Sequence, residues 1–99
     1  MSVQAPPPWI VSLHPAELRA FMGALSVLRF PYRATVTSWY RSPAKNAATP
    51  GAAVHSLHLL GLAVDVVTLE RAALIVAARS VGLHAIDEGT HVHLDARRG

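Results

Sequence analysis

Cysteine is absent from this chain. Disulfides and thiolate metal ligands are therefore excluded, and any metal must sit on His, Asp or Glu, a donor set that suits zinc best among the common metals. Long hydrophobic runs are missing too. The longest apolar stretches are broken by Arg, His, Asp or Glu and fall short of the roughly 18 residues that span a bilayer, so no membrane insertion is expected. Negative charge is scarce: six Asp and Glu stand against nine Lys and Arg, for a formal charge of +3 and a pI of about 10.2. Such a surface favours polyanions in general. The basic residues are nonetheless scattered from Arg19 through Arg41, Lys45 and Arg79 to Arg98, with no Lys/Arg block and no nucleic-acid motif, so nucleic acid is not an expected partner. Met1 to Pro8 lacks the basic start and apolar run of a secretory signal, and synthesis in the cytoplasm is the expectation.

What the chain does have is apolar surface, 52% of 99 residues. That is enough for one core and for a single domain over 1–99, expected to act as a monomer. Ala5-Pro-Pro-Pro8 marks residues 1–11 as a stiff lead-in that should resist helix and sheet. A helix is predicted from Pro15, with Leu18, Phe21, Met22, Leu25 and Leu28 as its buried stripe and Pro31 closing it. Thr35 to Tyr40 reads as a strand. Ser42 to Val54 reads as a long loop with one helical turn at Ala44 to Ala48, and a loop of that length in so small a domain points to function. A second strand follows at Leu62 to Val67. A helix capped by Thr68 should run to about Val81, with Leu69, Ala72, Ala73, Val76 and Ser80 on one face. His84 to Ile86, a tight turn at Asp87-Glu88-Gly89 and Thr90 to Ala96 form a final hairpin.

The chemistry concentrates in two segments, Ser56-Leu-His58-Leu-Leu-Gly61-Leu-Ala63-Val-Asp65 and His91-Val-His93-Leu-Asp95. Together they supply two imidazoles and a carboxylate for a divalent metal, with a further imidazole for proton transfer, a set that suits a hydrolytic zinc site. Alternation along the last strand places His91, His93 and Asp95 on one face, lining a cleft, with Val92 and Leu94 towards the core. Asp65 lies opposite Leu62, Val64 and Val66, beside the small Ala63. A carboxylate in so apolar a strand requires a partner or a metal. His55 and His84 have no matching geometry and read as ordinary loop or surface histidines.

Ser56, His58, Gly61, Ala63 and Asp65 match the SxHxxGxAxD signature, and the chain resembles the zinc D-Ala-D-Ala carboxypeptidase (VanY-like murein peptidase) family, related to lysostaphin-type and Hedgehog-type zinc domains. Ser38-Trp39-Tyr40-Arg41-Ser42-Pro43 with Asn46, and His91-Val-His93-Leu-Asp95, resemble that family's upstream and closing segments, in its order. The resemblance implies an α+β fold, a small antiparallel sheet with two main helices carrying one zinc, and hydrolysis of a peptide bond in peptidoglycan stem peptides. Carried over by position, His58, Asp65 and His93 are the zinc ligands and His91 the proton-transfer residue. Arg41 holds substrate oxygen, and Ser56 contacts substrate or braces the site. Asp95 either orients a ligand histidine from behind or pairs with Arg97 or Arg98.

Two departures leave alternatives open. Trp39 stands where the family has glycine, so the loop carrying Arg41 is expected to sit differently. Thr90, three before His93, cannot act as a base, whereas Glu88 lies three before His91; a second register therefore makes Glu88 the base and His91 a ligand. The expected activity is a carboxypeptidase or endopeptidase of the cell wall, in the manner of a phage lysis or virion enzyme. The alternative is a non-catalytic zinc-binding domain that binds wall or a protein partner.

Overall fold

Proline opens three of the helices, α1 (Pro8–Val11), α2 (Pro15–Arg29) and α3 (Pro43–Ala48). Its fixed φ suits the first turn, where its missing N–H goes unused. The computed structural model describes residues 3–29, 34–53 and 55–97; Pro31, Val54 and Arg98 lie outside them. The lead-in does not resist helix throughout, because α1 forms on Pro8 and is anchored by the buried Ile10. In α3, Ser42 Oγ caps the helix by accepting the Lys45 N–H at 3.2 Å.

Four strands, β1 (Thr35–Ser38), β2 (Ala63–Val67), β3 (His84–Asp87) and β4 (Val92–Asp95), form one antiparallel sheet in the order β1-β2-β4-β3. The fold is α+β, with α2 and α4 (Arg71–Ser80) as the two main helices. Leu18, Phe21 and Leu28 of α2, Leu74 and Ala78 of α4, Val64 and Val66 of β2, Ala85 of β3, and Val92 and Leu94 of β4 make one core. Alternation sends Asp65 and His93 to the other side of the sheet. Among the described residues no helix is long and apolar enough to cross a membrane.

Four expectations need correction. Met22 is 46% exposed, because it sits about 100° around the helix from Phe21. The expected face of α4 is its solvent face: Leu69 is 103% and Val76 70% exposed, whereas Leu74 and Ala78 are buried. Thr68 does not start that helix; its Oγ1 accepts the Glu70 N–H at 3.2 Å in the preceding turn, and the helix begins at Arg71. Finally, His91 is not on the last strand. Asp87 pairs with Val92, so residues 88–91 form the hairpin turn, closed by the Glu88 N–H on the His91 carbonyl at 2.9 Å.

Candidate metal centre

His58 arrives on a 3-10 turn, Leu57–Leu60, capped by Ser56, whose Oγ accepts the His58 N–H at 3.2 Å. Gly61 ends the turn at φ +73°. A Cβ there would be conformationally strained and would meet Pro6 Cγ at 2.8 Å, so backbone angle and close approach both demand glycine. The His58 ring is almost wholly buried. Its Nδ1–H donates to the Trp39 carbonyl, which fixes the tautomer with a bare lone pair on Nε2. Trp39 braces the turn a second time, its indole N–H donating to the Gly61 carbonyl at 2.7 Å. The Arg41 N–H donates to the His58 carbonyl at 3.0 Å. The departure from glycine at position 39 thus adds a tie to the loop that carries His58.

Asp65 and His93 are direct partners across β2 and β4. Asp65 Oδ1 lies 3.4 Å from His58 Nε2 and 3.3 Å from His93 Nδ1. His93 turns Nδ1 inward because its Nε2–H donates to Asp95 Oδ2 at 2.8 Å. The donor atoms of His58, Asp65 and His93 all lie within 4.8 Å of one another, the one such group among the described residues.

A register shift between Val36 and Ser38 in the β1–β2 pair marks a bulge, a feature that re-aims a chain beside functional sites. Just beyond it, Arg41 donates through Nη2 to Asp65 Oδ2 at 3.0 Å and through Nη1 to Asn46 Oδ1 at 3.4 Å. The buried Asn46 is itself held by Nδ2 on the Ala53 carbonyl at 2.9 Å. His91 Nε2 stands 3.8 Å from Asp65 Oδ1, on the rim of the group, and its Nδ1 pairs with Thr90 Oγ1 at 3.0 Å. Arg41, Lys45, Asp65, Thr90 and His91 line a cleft of about 840 Å³.

The electrostatics fit a cation. Burial pushes the Asp65 carboxyl up, but the imidazoles of His58 and His93 packed against it, with His91 nearby, outweigh it and hold it well below the ordinary carboxylate range. Hydrogen bonds to Asp65 and then Asp95 raise His93 to about 9 against the opposing effect of burial. Between these carboxylates His93 keeps a proton where a metal ion would supply the positive charge. His58 Nε2 is the telling atom: buried, with no hydrogen-bond partner among the described residues, and aimed at a carboxylate oxygen. A buried lone pair facing an anion is unfavourable unless a cation lies between them. Two imidazoles and a carboxylate, with no thiolate, match zinc.

The structure therefore brings His58, Asp65 and His93 together, with His91 and Arg41 beside them. Ser56 braces the turn and does not line the cleft. Glu88 is exposed on the hairpin turn and also lies outside the cleft lining. Asp95 does not line the cleft as expected; it is 0% exposed, behind His93. It makes both anticipated contacts, accepting from His93 and pairing through Oδ2 with the Arg97 guanidinium at 3.4 Å. His55 is exposed, as expected. His84 is no ordinary surface histidine, since its Nδ1 lies 3.2 Å from Asp95 Oδ2. Trp39 and Thr90 were legible only as a departure from a motif and as a residue unfit to be a base.

No curated protein and no solved structure matches the chain. A family model described as Peptidase M15 matches residues 10–95, a span that contains every residue of the centre. With that match and a His and Asp centre fit for zinc, the chain belongs to the M15 family of zinc-dependent peptidases.

Proposed function

We propose that this protein hydrolyses a peptide bond in peptidoglycan stem peptides, as a D-Ala-D-Ala carboxypeptidase or endopeptidase acting on the cell wall, in the manner of a phage lysis or virion enzyme. The observation that carries the reading is the convergence of His58 Nε2, Asp65 Oδ1 and His93 Nδ1 beside His91 and Arg41 at an open cleft. Zinc held there would bring the pKa of a bound water towards neutrality and polarise the scissile carbonyl. His91 supports proton transfer: in the tautomer whose Nδ1–H donates to Thr90 Oγ1, Nε2 can take a proton from the nucleophile and return it to the leaving amine. Arg41 pairs with Asp65 at 3.0 Å and lines the cleft, where its remaining N–H groups can hold a carbonyl or carboxylate oxygen. Lys45 adds a second cation to that wall. A basic cleft suits the carboxylate of a stem peptide, and the three matched segments support that substrate class.

The test is mass spectrometry of products from peptidoglycan and synthetic stem peptides treated with zinc-loaded protein. Cleavage abolished by chelation is expected, and the product masses identify the bond. Full zinc content with no cleavage of any stem peptide would favour the non-catalytic zinc-binding domain instead.

A further inference from the structure

The polar face of the sheet continues one strand beyond the proposed ligands. His84 on β3 is the direct cross-strand partner of Asp95 on β4, and its Nδ1–H donates to Asp95 Oδ2 at 3.2 Å. The same oxygen accepts the His93 Nε2–H at 2.8 Å. Asp95 is fully buried, so its orientation is set by its donors rather than by water. On its other flank, β2 offers only Ala63, which has no side-chain donor. Arg97 closes the set with its backbone N–H and with a guanidinium 3.4 Å from Oδ2. That guanidinium belongs to a side chain 60% exposed and open to exchange with water, whereas the His84 side chain is 25% exposed and carried on a paired strand.

We infer that His84 is a positioning residue of the metal centre: through Asp95 it fixes the His93 ring so that Nδ1 faces His58 and Asp65. This rests on the reading of the centre as a zinc site. Donors behind a ligand histidine fix its orientation and typically change metal affinity 10–100-fold when removed. His84 acts one hydrogen bond further out, so its contribution should be smaller.

The experiment is zinc release to a chromophoric chelator by wild type, His84→Ala and His84→Asn, with the absorption spectrum of the cobalt-substituted proteins beside it. The asparagine amide places an N–H where Nδ1 stood. His84→Ala should release zinc about fivefold faster and shift the cobalt bands, and His84→Asn should restore both to within about twofold of wild type. If the alanine variant does not fold, His84→Phe, which keeps a ring without a donor, reads the same quantity. Release from the donor-free variants at the wild-type rate would overturn the inference, as would an asparagine variant as fast as they are. A wild-type protein that takes up no zinc at all would overturn the reading of the centre, and this inference with it.

Discussion

In the metal-free centre, Asp65 and Asp95 together hold a proton on His93 that a divalent cation would displace. Metal ligation requires neutral imidazole, and the metal-free His93 titrates at about 9. Zinc binding at pH 7 should therefore release about one proton from this residue, measurable by calorimetry in buffers of different ionisation heat. The same shift sets the pH dependence of stability. His93, raised from 6.5 to about 9, stabilises the metal-free fold fully below pH 6.5 and loses that contribution as pH climbs towards 9. Asp65, lowered from 3.8, stabilises above that value and loses its contribution as pH falls beneath it. Metal-free protein should melt highest between these ordinary values, and the gain in melting temperature on adding zinc should be larger at pH 8.5 than at pH 6, a comparison thermal denaturation makes directly. His91 answers a different question. His91→Ala should keep zinc while cleavage falls by roughly 10²–10⁴-fold, the usual worth of a proton-transfer group; loss of zinc in that variant would move His91 into the ligand set and Glu88 into the base's place.

The elements bring these residues together through a few local devices, and not all were legible in the sequence. The turn carrying His58 was, because Ser56 and Gly61 have conformational reasons to be what they are. Gly61→Ala should cost about 1–2 kcal/mol from backbone strain alone, and more because its Cβ would press on Pro6. Gly82, at φ +87° with open space around it, supplies the comparison. Urea denaturation should show Gly82→Ala losing only the strain and Gly61→Ala losing more, together with zinc affinity. The buried face of α4 was not legible, since Leu69, Val76, Leu74 and Ala78 offer apolar residues on both sides and periodicity alone cannot choose between them. Nor was His84. Reading the hairpin turn as Asp87–Gly89 places the pairing out of register, whereas the observed Asp87–Val92 pair sets His84 opposite Asp95. Trp39 was hidden for another reason: its hold on His58 is a backbone carbonyl, which any residue type could supply.

At the scale of the molecule, the core and the centre share strands. β4 alternates Val92 and Leu94 inward with His93 on the opposite face, so a domain with a Cα radius of gyration of 12.7 Å cannot loosen one without the other. Leu94→Ala should lower stability by about 2–5 kcal/mol and weaken zinc binding in parallel, seen by denaturation and zinc titration of one preparation. The main helices were legible because periodicity encodes them, and the α+β class and the His58, Asp65 and His93 cluster because the matched motifs imply them. The bulge after Val36 and the helical turn at Pro8 depend on packing and were not. The measurement that bears most directly on the central claim is anomalous scattering at the zinc edge from crystals of the zinc-loaded protein. One zinc bounded by His58, Asp65 and His93, with His91 outside its coordination, is the predicted result. Zinc coordinated by His91 in place of His93, or by none of the three, would contradict it.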